Sequence, residues 1–262
     1  MTNVTIIGAG QIGQSLIAGL SKSGQAQITA TNRRQERRSE LEETYGISTT
    51  GDNCAAVKDA DVVFLCVKPY QILQVAEEIA GSLPDGAVVV SMAAGIKIDS
   101  LRQALGAHPV IRVMPNTPML VGRGMSIVSP GPDVADTAVD TVRCLLDAVG
   151  ETVELAESHV NAATALSGSS PAYFYLVAEA LIDAGVQLGI PREVAVKLAT
   201  QAAAGAGEML VSAGDDPATL RQKVTSPGGT TAAALRELEE SGIRGAFFRA
   251  AQACADKGEE LA

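Results

Sequence analysis

Over the first 155 residues, short apolar runs alternate with segments whose apolar positions recur at helical spacing. The run from Asp61 to Val67 is apolar almost throughout, which is typical of a strand covered on both faces. A helix is predicted from Gln11 to Ser23, and Gly24 stands where its C-cap is expected. Strand–helix alternation of this kind predicts a parallel, doubly wound α/β sheet. Further strands are predicted at Val4–Ile7, Gln27–Thr31, Ala87–Ser91, Val110–Met114 and Met125–Val128, and further helices at Gln71–Leu83 and Pro132–Val149.

After Glu154 the strand signals stop, and helical patterns rich in alanine and glycine follow. Asp216 has the position of an N-cap. We therefore divide the chain into an α/β domain, residues 1–155, and an all-helical domain, residues 156–262. Because a helical domain this rich in alanine buries little apolar surface alone, we expect it to dimerise through intertwined helices. Helix breaks are predicted at Gly189–Pro191, Gly214 and Ser226–Pro227, and helix starts near His159, Arg192, Pro217 and Thr230.

Composition excludes several classes of partner. The 262-residue chain has a formal net charge of −10, 3% aromatic residues and no Trp, so we expect neither nucleic acid nor an anionic membrane as a partner. His108 and His159 are too few and too isolated for a zinc site, so no metal is expected. The longest stretch without a charged residue, His159–Ala178, contains several polar residues, which favours a core helix over a membrane span. Four scattered cysteines and no recognisable signal peptide predict a cytoplasmic protein.

A dinucleotide fingerprint follows the first strand. The residues Gly8-Ala9-Gly10-Gln11-Ile12-Gly13 match G-x-G-x-x-G between a predicted strand and a predicted helix. Glycines at these positions allow a tight turn, close approach of a pyrophosphate and packing of the helix on the strand. A purely structural glycine turn is the alternative. We expect Gly8, Gly10, Gln11, Ile12 and Gly13 to bind the cofactor.

The end of the second strand favours NADPH over NADH. An NAD site carries Asp or Glu there, whereas this chain has Asn32-Arg33-Arg34, and arginine accommodates a 2′-phosphate. NADPH is therefore the expected cofactor, with NADH possible but less favoured. The alternative is that these arginines, with Arg37 and Arg38, form only a solvated basic helix face.

Three other strand ends are candidates for cofactor contact, because ligands of open α/β sheets lie beyond the carboxyl ends of the strands. For each of them an ordinary turn is the alternative. The expected cofactor residues there are Val67, Lys68, Pro69, Ala94, Gly95, Met114, Pro115 and Asn116.

The stretch Thr225–Thr231 is a candidate anion site far from the fingerprint. It places four hydroxyls and a Gly-Gly pair directly ahead of a helical pattern. Backbone N–H groups and hydroxyls at a helix start attract an anion, and the helix dipole adds to the attraction. We expect this loop to bind a small carboxylate in the same site as the cofactor. Hydroxyls that merely cap the helix are the alternative for Thr230 and Thr231.

These motifs together resemble the pyrroline-5-carboxylate reductases. The resemblance covers essentially the whole chain, and the match to Thr225–Thr231 followed by Ala234-Leu235 is its most specific part. It implies a Rossmann-type N-terminal domain and a helical C-terminal dimerisation domain that forms a homodimer, and in many members of the family such dimers assemble into rings. The other matching segments are Gly8–Gly13, Asn32-Arg33, Val67-Lys68-Pro69, Met114–Pro118 and Ala165–Tyr173.

The resemblance also implies a reaction and roles for residues. The implied reaction is reduction of L-1-pyrroline-5-carboxylate to L-proline, a cyclic imine carboxylate being the substrate. Asn53 would lie near the adenosine ribose, and Thr231 would place its hydroxyl beside the ring nitrogen. The residues implied to hold the substrate carboxylate are Ser226, Gly228, Gly229 and Thr230. An iminium is already electrophilic, so no strong protein acid is required, and positioning would dominate catalysis.

Three alternatives stay open. A β-hydroxyacid dehydrogenase is disfavoured, because no lysine occurs from Ser158 to Leu188. Another imine reductase and an NADP(H)-binding sensor without turnover are also possible from the residues. The roles of Glu179 and of Ser167–Ser170 are not decided by the pattern.

Overall fold

The computed structural model describes residues 1–261, which form two compact units. The first contains residues 1–168 together with the residues from Cys254 onward, and the second contains residues 169–253. The domain boundary near residue 155 stays a prediction.

The first unit is built on an eight-stranded sheet in the order β3-β2-β1-β4-β5-β6-β7-β8. This order, with β1 central and its neighbours parallel to it, is that of a doubly wound sheet. The strands are β1 (Thr2–Ile7), β2 (Ala26–Thr31), β3 (Ser48–Thr50), β4 (Val62–Leu65), β5 (Val88–Ser91), β6 (Val110–Met114), β7 (Gly124–Pro130) and β8 (Gly150–Glu154).

The sheet is parallel, as predicted, except at one pair of strands. Strands β6 and β7 pair antiparallel, with Met114 opposite Ile127. The connection between them holds only a 3₁₀ turn, Thr117–Val121. A parallel crossover needs about a dozen residues or more, so this short connection forces the chain to reverse. Strands β3 and β8 were not predicted, because both consist largely of polar residues and so lack the apolar run that marks the other strands.

Helices cover both faces of this sheet. Alternate residues of β4 point to opposite sides. Phe64 belongs to a core with α1 (Gln11–Ser23) and α6 (Asp136–Leu146), and Leu65 belongs to a core with α4 (Pro69–Ala80) and α5 (Ile98–Leu105). Helix α1 begins and ends as predicted, and Gly24 closes it in the left-handed conformation with φ 67°. The helices of this unit are α1 (Gln11–Ser23), α2 (Gln35–Tyr45), α3 (Asn53–Ala56), α4 (Pro69–Ala80), α5 (Ile98–Leu105), α6 (Asp136–Leu146) and α7 (Val160–Ala163), followed by a π-helical turn, Thr164–Gly168.

The second unit is helical, as predicted, and three of its breaks fall at the predicted glycines and prolines, whereas the break at Ser241-Gly242 between Glu240 and Ile243 was not predicted. Asp216 caps α10 by accepting hydrogen bonds from the backbone N–H groups of Ala218 and Thr219 at 2.9 and 3.1 Å. The hydrogen bond from the Thr219 hydroxyl, together with these two backbone bonds, holds the pKa of Asp216 below its ordinary value. The helices are α8 (Ser170–Gln187), α9 (Arg192–Ser212), α10 (Pro217–Lys223), α11 (Thr230–Glu240) and α12 (Ile243–Glu260), the last of which ends in the first unit.

The prediction of a core helix over His159–Ala178 is confirmed only at its start, where Val160 and Ala165 are buried, and is wrong for the part that lies in α8. Helix α8 has no buried residue in it, and Phe174, Tyr175 and Leu176 are 65%, 64% and 66% exposed. The apolar character of the segment therefore does not come from burial within one copy. Among residues 1–261, no helix combines the length and the hydropathy needed to cross a membrane.

Candidate cofactor and substrate sites

A cleft of about 920 Å³ lies at the carboxyl ends of β1, β2, β4 and β5. This is the edge at which open α/β sheets bind ligands. Its walls include the glycine turn after β1, the segment Thr31–Arg34 after β2 and the segment Cys66–Pro69 after β4. The sequence therefore brings its fingerprint and its arginines to one cavity.

The glycine turn combines two tightly packed glycines with one open one. Gly8 has φ +94°, and a Cβ there would lie 2.9 Å from Cγ1 of Val67, while a Cβ on Gly13 would overlap the carbonyl oxygen of Gly8. At Gly10 nothing lies within 4 Å of the Cβ position, so the backbone is open to a ligand. Gly10 is also the N-cap of α1 and makes no side-chain capping bond. The first N–H groups of α1 are therefore available to a phosphate.

The four arginines near the end of β2 differ in what they contact. Arg37 bonds Glu40 and Gln14, and Arg38 donates to the carbonyl oxygen of Asn32 at 2.7 Å. Arg33 and Arg34 are exposed and line the cleft, and within residues 1–261 no hydrogen bond or ion pair occupies either guanidinium. The four do not form one solvated basic face. Only Arg33 and Arg34 are free to take a phosphate.

Helix α4 adds a polar wall that sequence reasoning missed. Gln71, Gln74 and Glu78 all line the cleft. Their spacing of three and four residues puts them on one helix face, and this was the signal that could have found them. Glu78 accepts from the amide of Asn53, whose Nδ2 lies 3.3 Å from each carboxylate oxygen.

Most of the cofactor residues expected from sequence line this cleft, and five do not. Gly13 lies beneath the turn, and a Cβ on Gly95 would lie 2.9 Å from the carbonyl oxygen of Leu261. Met114 packs on Gly168, Pro115 is buried, and Asn116 is only 9% exposed. The expected residues that line the cleft are Gly8, Gly10, Gln11, Ile12, Asn32, Arg33, Arg34, Asn53, Val67, Lys68, Pro69 and Ala94.

The side chain of Asn116 has a structural role, because both ends of its amide bond the chain itself. Its Nδ2 donates to the carbonyl oxygen of Ser167 at 2.9 Å, and its Oδ1 accepts from the N–H of Met125 at 2.9 Å. It thereby ties the π-helical turn to the sheet. Ser167 also donates its hydroxyl to the carbonyl oxygen of Ala163 at 3.1 Å, so this serine serves the turn itself.

Cys66 lies on the wall of the cleft as a neutral thiol. Its Sγ is 3.5 Å from Sδ of Met92, and burial raises the pKa of this thiol to about 12. A thiol with this pKa is not a nucleophile at neutral pH. Among residues 1–261, no cluster of three or more His, Cys, Asp or Glu side chains could hold a metal ion.

In the second unit, the loop Thr225–Gly229 leads into α11. The Thr225 hydroxyl donates to the carbonyl oxygen of Arg221 at 2.6 Å, so it is already committed. The hydroxyls of Ser226, Thr230 and Thr231 make no hydrogen bond within the described residues. The N-cap of α11 is Gly229 without a side-chain capping bond, so neither threonine hydroxyl caps the helix.

The glycine pair of this loop shapes its backbone. Gly228 has φ +68°, a left-handed conformation that favours glycine. A Cβ on Gly229 would overlap Oγ of Ser226. The absence of a side chain at Gly229 therefore leaves room for the Ser226 hydroxyl beside the first turn of α11, where orphan N–H groups attract anions.

Comparison with known proteins gives the family of the chain. Residues 157–261 match the family model for pyrroline-5-carboxylate reductase dimerisation, and residues 3–95 match that for NADP oxidoreductase, coenzyme F420-dependent. The pyrroline-5-carboxylate reductase of Corynebacterium melassecola is 54% identical, over 100% of this chain and 99% of that protein. The chain belongs to the pyrroline-5-carboxylate reductase family. The Escherichia coli pyrroline-5-carboxylate reductase is 38% identical over 98% of this chain and 97% of its own length.

Solved structures of pyrroline-5-carboxylate reductases have the same fold. The Coxiella burnetii enzyme superposes with a TM-score of 0.96 at 35% identity, covering 100% of this chain and 98% of that one. The Plasmodium falciparum pyrroline carboxylate reductase, solved with NADP bound, gives a TM-score of 0.87 at 28% identity, covering 99% and 98%. The α/β unit and the helical region thus both follow the fold of pyrroline-5-carboxylate reductases.

Proposed function

We propose that this chain reduces L-1-pyrroline-5-carboxylate to L-proline, the last step of proline synthesis, with NADPH as the preferred hydride donor. The observation that carries the proposal is the 54% identity to a pyrroline-5-carboxylate reductase across the full length of both chains. The open glycine turn and the uncommitted hydroxyls of the loop before α11 support it. We place the enzyme in the cytoplasm, in keeping with its four free cysteines.

The preference for NADPH rests on Arg33 and Arg34. Both guanidinium groups line the cleft and are free, and the segment after β2 carries no carboxylate to bond a ribose 2′-hydroxyl. In a chain of net charge −10, a phosphate needs local donors to overcome repulsion by the rest of the molecule. NADH, which lacks the 2′-phosphate, gains nothing from either arginine and is the poorer donor.

The loop before α11 binds the substrate in this proposal. Ser226, Gly228, Gly229 and Thr230 hold the carboxylate, through a hydroxyl at each end and the N–H groups of the helix start. Thr231, half-buried in the first turn, presents its hydroxyl to the ring nitrogen. The free state of the Ser226, Thr230 and Thr231 hydroxyls supports these roles, because none is used by the fold.

The chemistry requires positioning more than strong acid catalysis. The bound cofactor supplies a hydride to the carbon of the C=N bond, the C=N π electrons become the nitrogen lone pair, and the product is a secondary amine. An iminium enters already protonated, so Thr231 has only to orient the nitrogen or bond it. The neutral thiol of Cys66 takes no part.

The assembly we propose is a homodimer formed through the helical region, with a ring of dimers as a further level of association. The match of residues 157–261 to a dimerisation family model supports the dimer. The exposed apolar side chains of α8 support it independently.

Turnover of defined imines tests the proposed reaction. The absorbance of reduced nicotinamide would be followed with L-1-pyrroline-5-carboxylate, first with NADPH and then with NADH, and again with a six-membered cyclic imine carboxylate. Fast oxidation of NADPH with the five-membered substrate and formation of L-proline are expected. Binding of NADPH without turnover of either imine would instead indicate a cofactor-binding sensor, and faster turnover of the six-membered ring another imine reductase.

A further inference from the structure

Asn53 and Glu78 form a pair in the wall of the cofactor cleft. Both residues line the cleft, and Nδ2 of Asn53 lies 3.3 Å from Oε1 and 3.3 Å from Oε2 of Glu78. An ionised carboxylate accepts hydrogen bonds and cannot donate them, so the amide of Asn53 must present its NH₂ group to Glu78. Its Oδ1 is then directed away from the carboxylate. No donor among residues 1–261 bonds that oxygen.

The backbone around this pair is held independently of it. Asp52 caps α3 by accepting from the N–H of Ala55 at 3.0 Å, and the Thr5 hydroxyl donates to the carbonyl oxygen of Ala56 at 2.7 Å. The thiol of Cys54 donates to the backbone carbonyl oxygen of Glu78 at 3.2 Å, which links α3 to α4. With the backbone fixed in this way, the face that the Asn53 amide shows to the cleft depends on the Glu78 side chain.

The charge of Glu78 is unfavourable in a cleft that binds a polyanion, since it repels phosphate. A neutral side chain would avoid this cost. Unlike an amide, a carboxylate cannot donate a hydrogen bond, so it repels the amide oxygen of Asn53 and accepts only from its NH₂ group.

We infer that Glu78 is a positioning residue for the adenosine half of the cofactor, fixing the Asn53 amide so that Oδ1 accepts a hydrogen bond from a ribose hydroxyl. The inference rests on the proposed role of this cleft as the NADPH site. It assigns to Glu78 an effect on cofactor binding that is transmitted through Asn53.

Adenosine 2′,5′-bisphosphate is the probe, because it carries the ribose and the 2′-phosphate without a nicotinamide. Calorimetric titration should show that Glu78→Ala weakens its binding by about threefold to tenfold, the effect of one neutral hydrogen bond. Glu77→Ala is the matched control, since Glu77 is exposed on the same helix, carries the same charge and does not line the cleft. Asn53→Ala should weaken binding to a similar extent. The double variant should be no weaker than Asn53→Ala alone, as expected for two residues that act through one contact.

Glu78→Gln separates orientation from charge. A glutamine amide can bond either face of Asn53, so this variant should fall between the wild type and Glu78→Ala. If Glu78→Ala and Glu78→Gln both bind the bisphosphate more tightly than the wild type, Glu78 only repels phosphate and the inference is overturned. Equal binding by Glu77→Ala and Glu78→Ala would overturn it as well.

Steady-state kinetics distinguish positioning from general support of the fold. Glu78→Ala should raise the KM for NADPH while the KM for the imine, kcat and the melting temperature stay unchanged. A fall in kcat or in melting temperature would show a structural role instead. If the wild type binds the bisphosphate but turns over no imine, the proposed reaction fails and the inference about Glu78 stands on the titrations. If the wild type does not bind the bisphosphate, the inference fails with the cofactor site.

Discussion

At the scale of single residues, the arginines after β2 differ in whether they bond the chain itself. Those that do support the fold, and those that do not remain available to a ligand. Arg38 bonds the backbone of Asn32 and half-buries its side chain, while Arg33 and Arg34 remain free on the cleft wall. We predict that the double variant Arg33→Ala/Arg34→Ala raises the KM for NADPH by about tenfold or more, since charge-assisted hydrogen bonds to the 2′-phosphate are lost. The KM for NADH should change little. Initial rates with each cofactor at saturating imine measure both.

Lys22→Ala/Lys58→Ala provides the matched control for this prediction. Both lysines are exposed and lie outside the cleft, and their substitution removes the same total charge as the double arginine substitution. An equal rise in KM for NADH and NADPH in the arginine variant would show that the arginines act on features common to both cofactors.

Thr231 is the residue for which the proposed role is chemical. Its hydroxyl is free within the described residues, although it stands in the first turn of a helix, where threonine hydroxyls often cap. Thr231→Val keeps the shape and removes the hydroxyl. It should lower kcat by about tenfold to a hundredfold, the range for losing one hydrogen bond to a charged group, with the KM for NADPH unchanged. Thr231→Ser should restore much of the rate, and an unchanged kcat in Thr231→Val would remove the hydroxyl from the mechanism.

The sequence alone could place single residues whose spacing from a strand defines their position. It could not predict contacts between side chains that are distant in the chain. Gly8, Gly10 and Arg33 lie in the cleft, and their positions could be predicted because spacing after a strand defines them. The helical spacing of Glu78 from Gln71 and Gln74 marks a shared face, but its contact with Asn53 could not be predicted, since that contact depends on how α3 packs on α4. Asn116 was expected at the cofactor, but both ends of its amide bond the chain itself.

At the scale of elements, hydrophobic pattern identified most elements that are buried on one or two faces, but α5, which buries Ile98, Leu101 and Leu105, was not predicted. Helix α1 and strand β6 have the predicted bounds, because apolar residues fill them and glycine or proline ends them. Strand β3 is three residues of serine and threonine, held by pairing with β2, so no local pattern marks it. The reversal before β7 could have been predicted, because only about ten residues separate the predicted strands Val110–Met114 and Met125–Val128, fewer than a parallel crossover needs.

The loop before α11 gives a prediction at this scale. A methyl group on Gly229 would overlap Oγ of Ser226, so Gly229→Ala should force that hydroxyl to rotate away from the helix start. The KM for the imine should then rise by about threefold to tenfold, the cost of one lost hydrogen bond, while the KM for NADPH stays constant. Gly81→Ala is the control, because a Cβ there meets nothing within 4 Å. An unchanged KM for the imine in Gly229→Ala would show that Ser226 does not contact the substrate.

At the scale of the whole molecule, the exposed apolar side chains of the second unit indicate a surface that binds a partner. Phe174, Leu176 and Leu181 of α8 are 65%, 66% and 54% exposed, and Val211 of α9 is 74% exposed. Large apolar patches on a single chain mark interaction sites. The composition already indicated this need, because helices rich in alanine bury little on their own. Which residues would stay exposed in one copy could not be predicted, since an apolar helix face has the same pattern against its own chain or against a second one.

A charged residue introduced into that surface should therefore weaken association of the chains while the α/β unit stays folded. We predict that Leu176→Glu converts the dimer to monomer, because burying an unpaired carboxylate at an apolar contact costs several kcal/mol. Light scattering after size-exclusion chromatography gives the mass, and titration with adenosine 2′,5′-bisphosphate shows whether the cofactor unit remains folded. Val121→Glu is the control, since Val121 is 77% exposed but lies outside residues 157–261. Loss of mass in Leu176→Glu alone supports the dimer, whereas a dimer of unchanged stability would place the interface elsewhere. If Val121→Glu splits a larger particle into dimers, that result locates the contact that closes a ring.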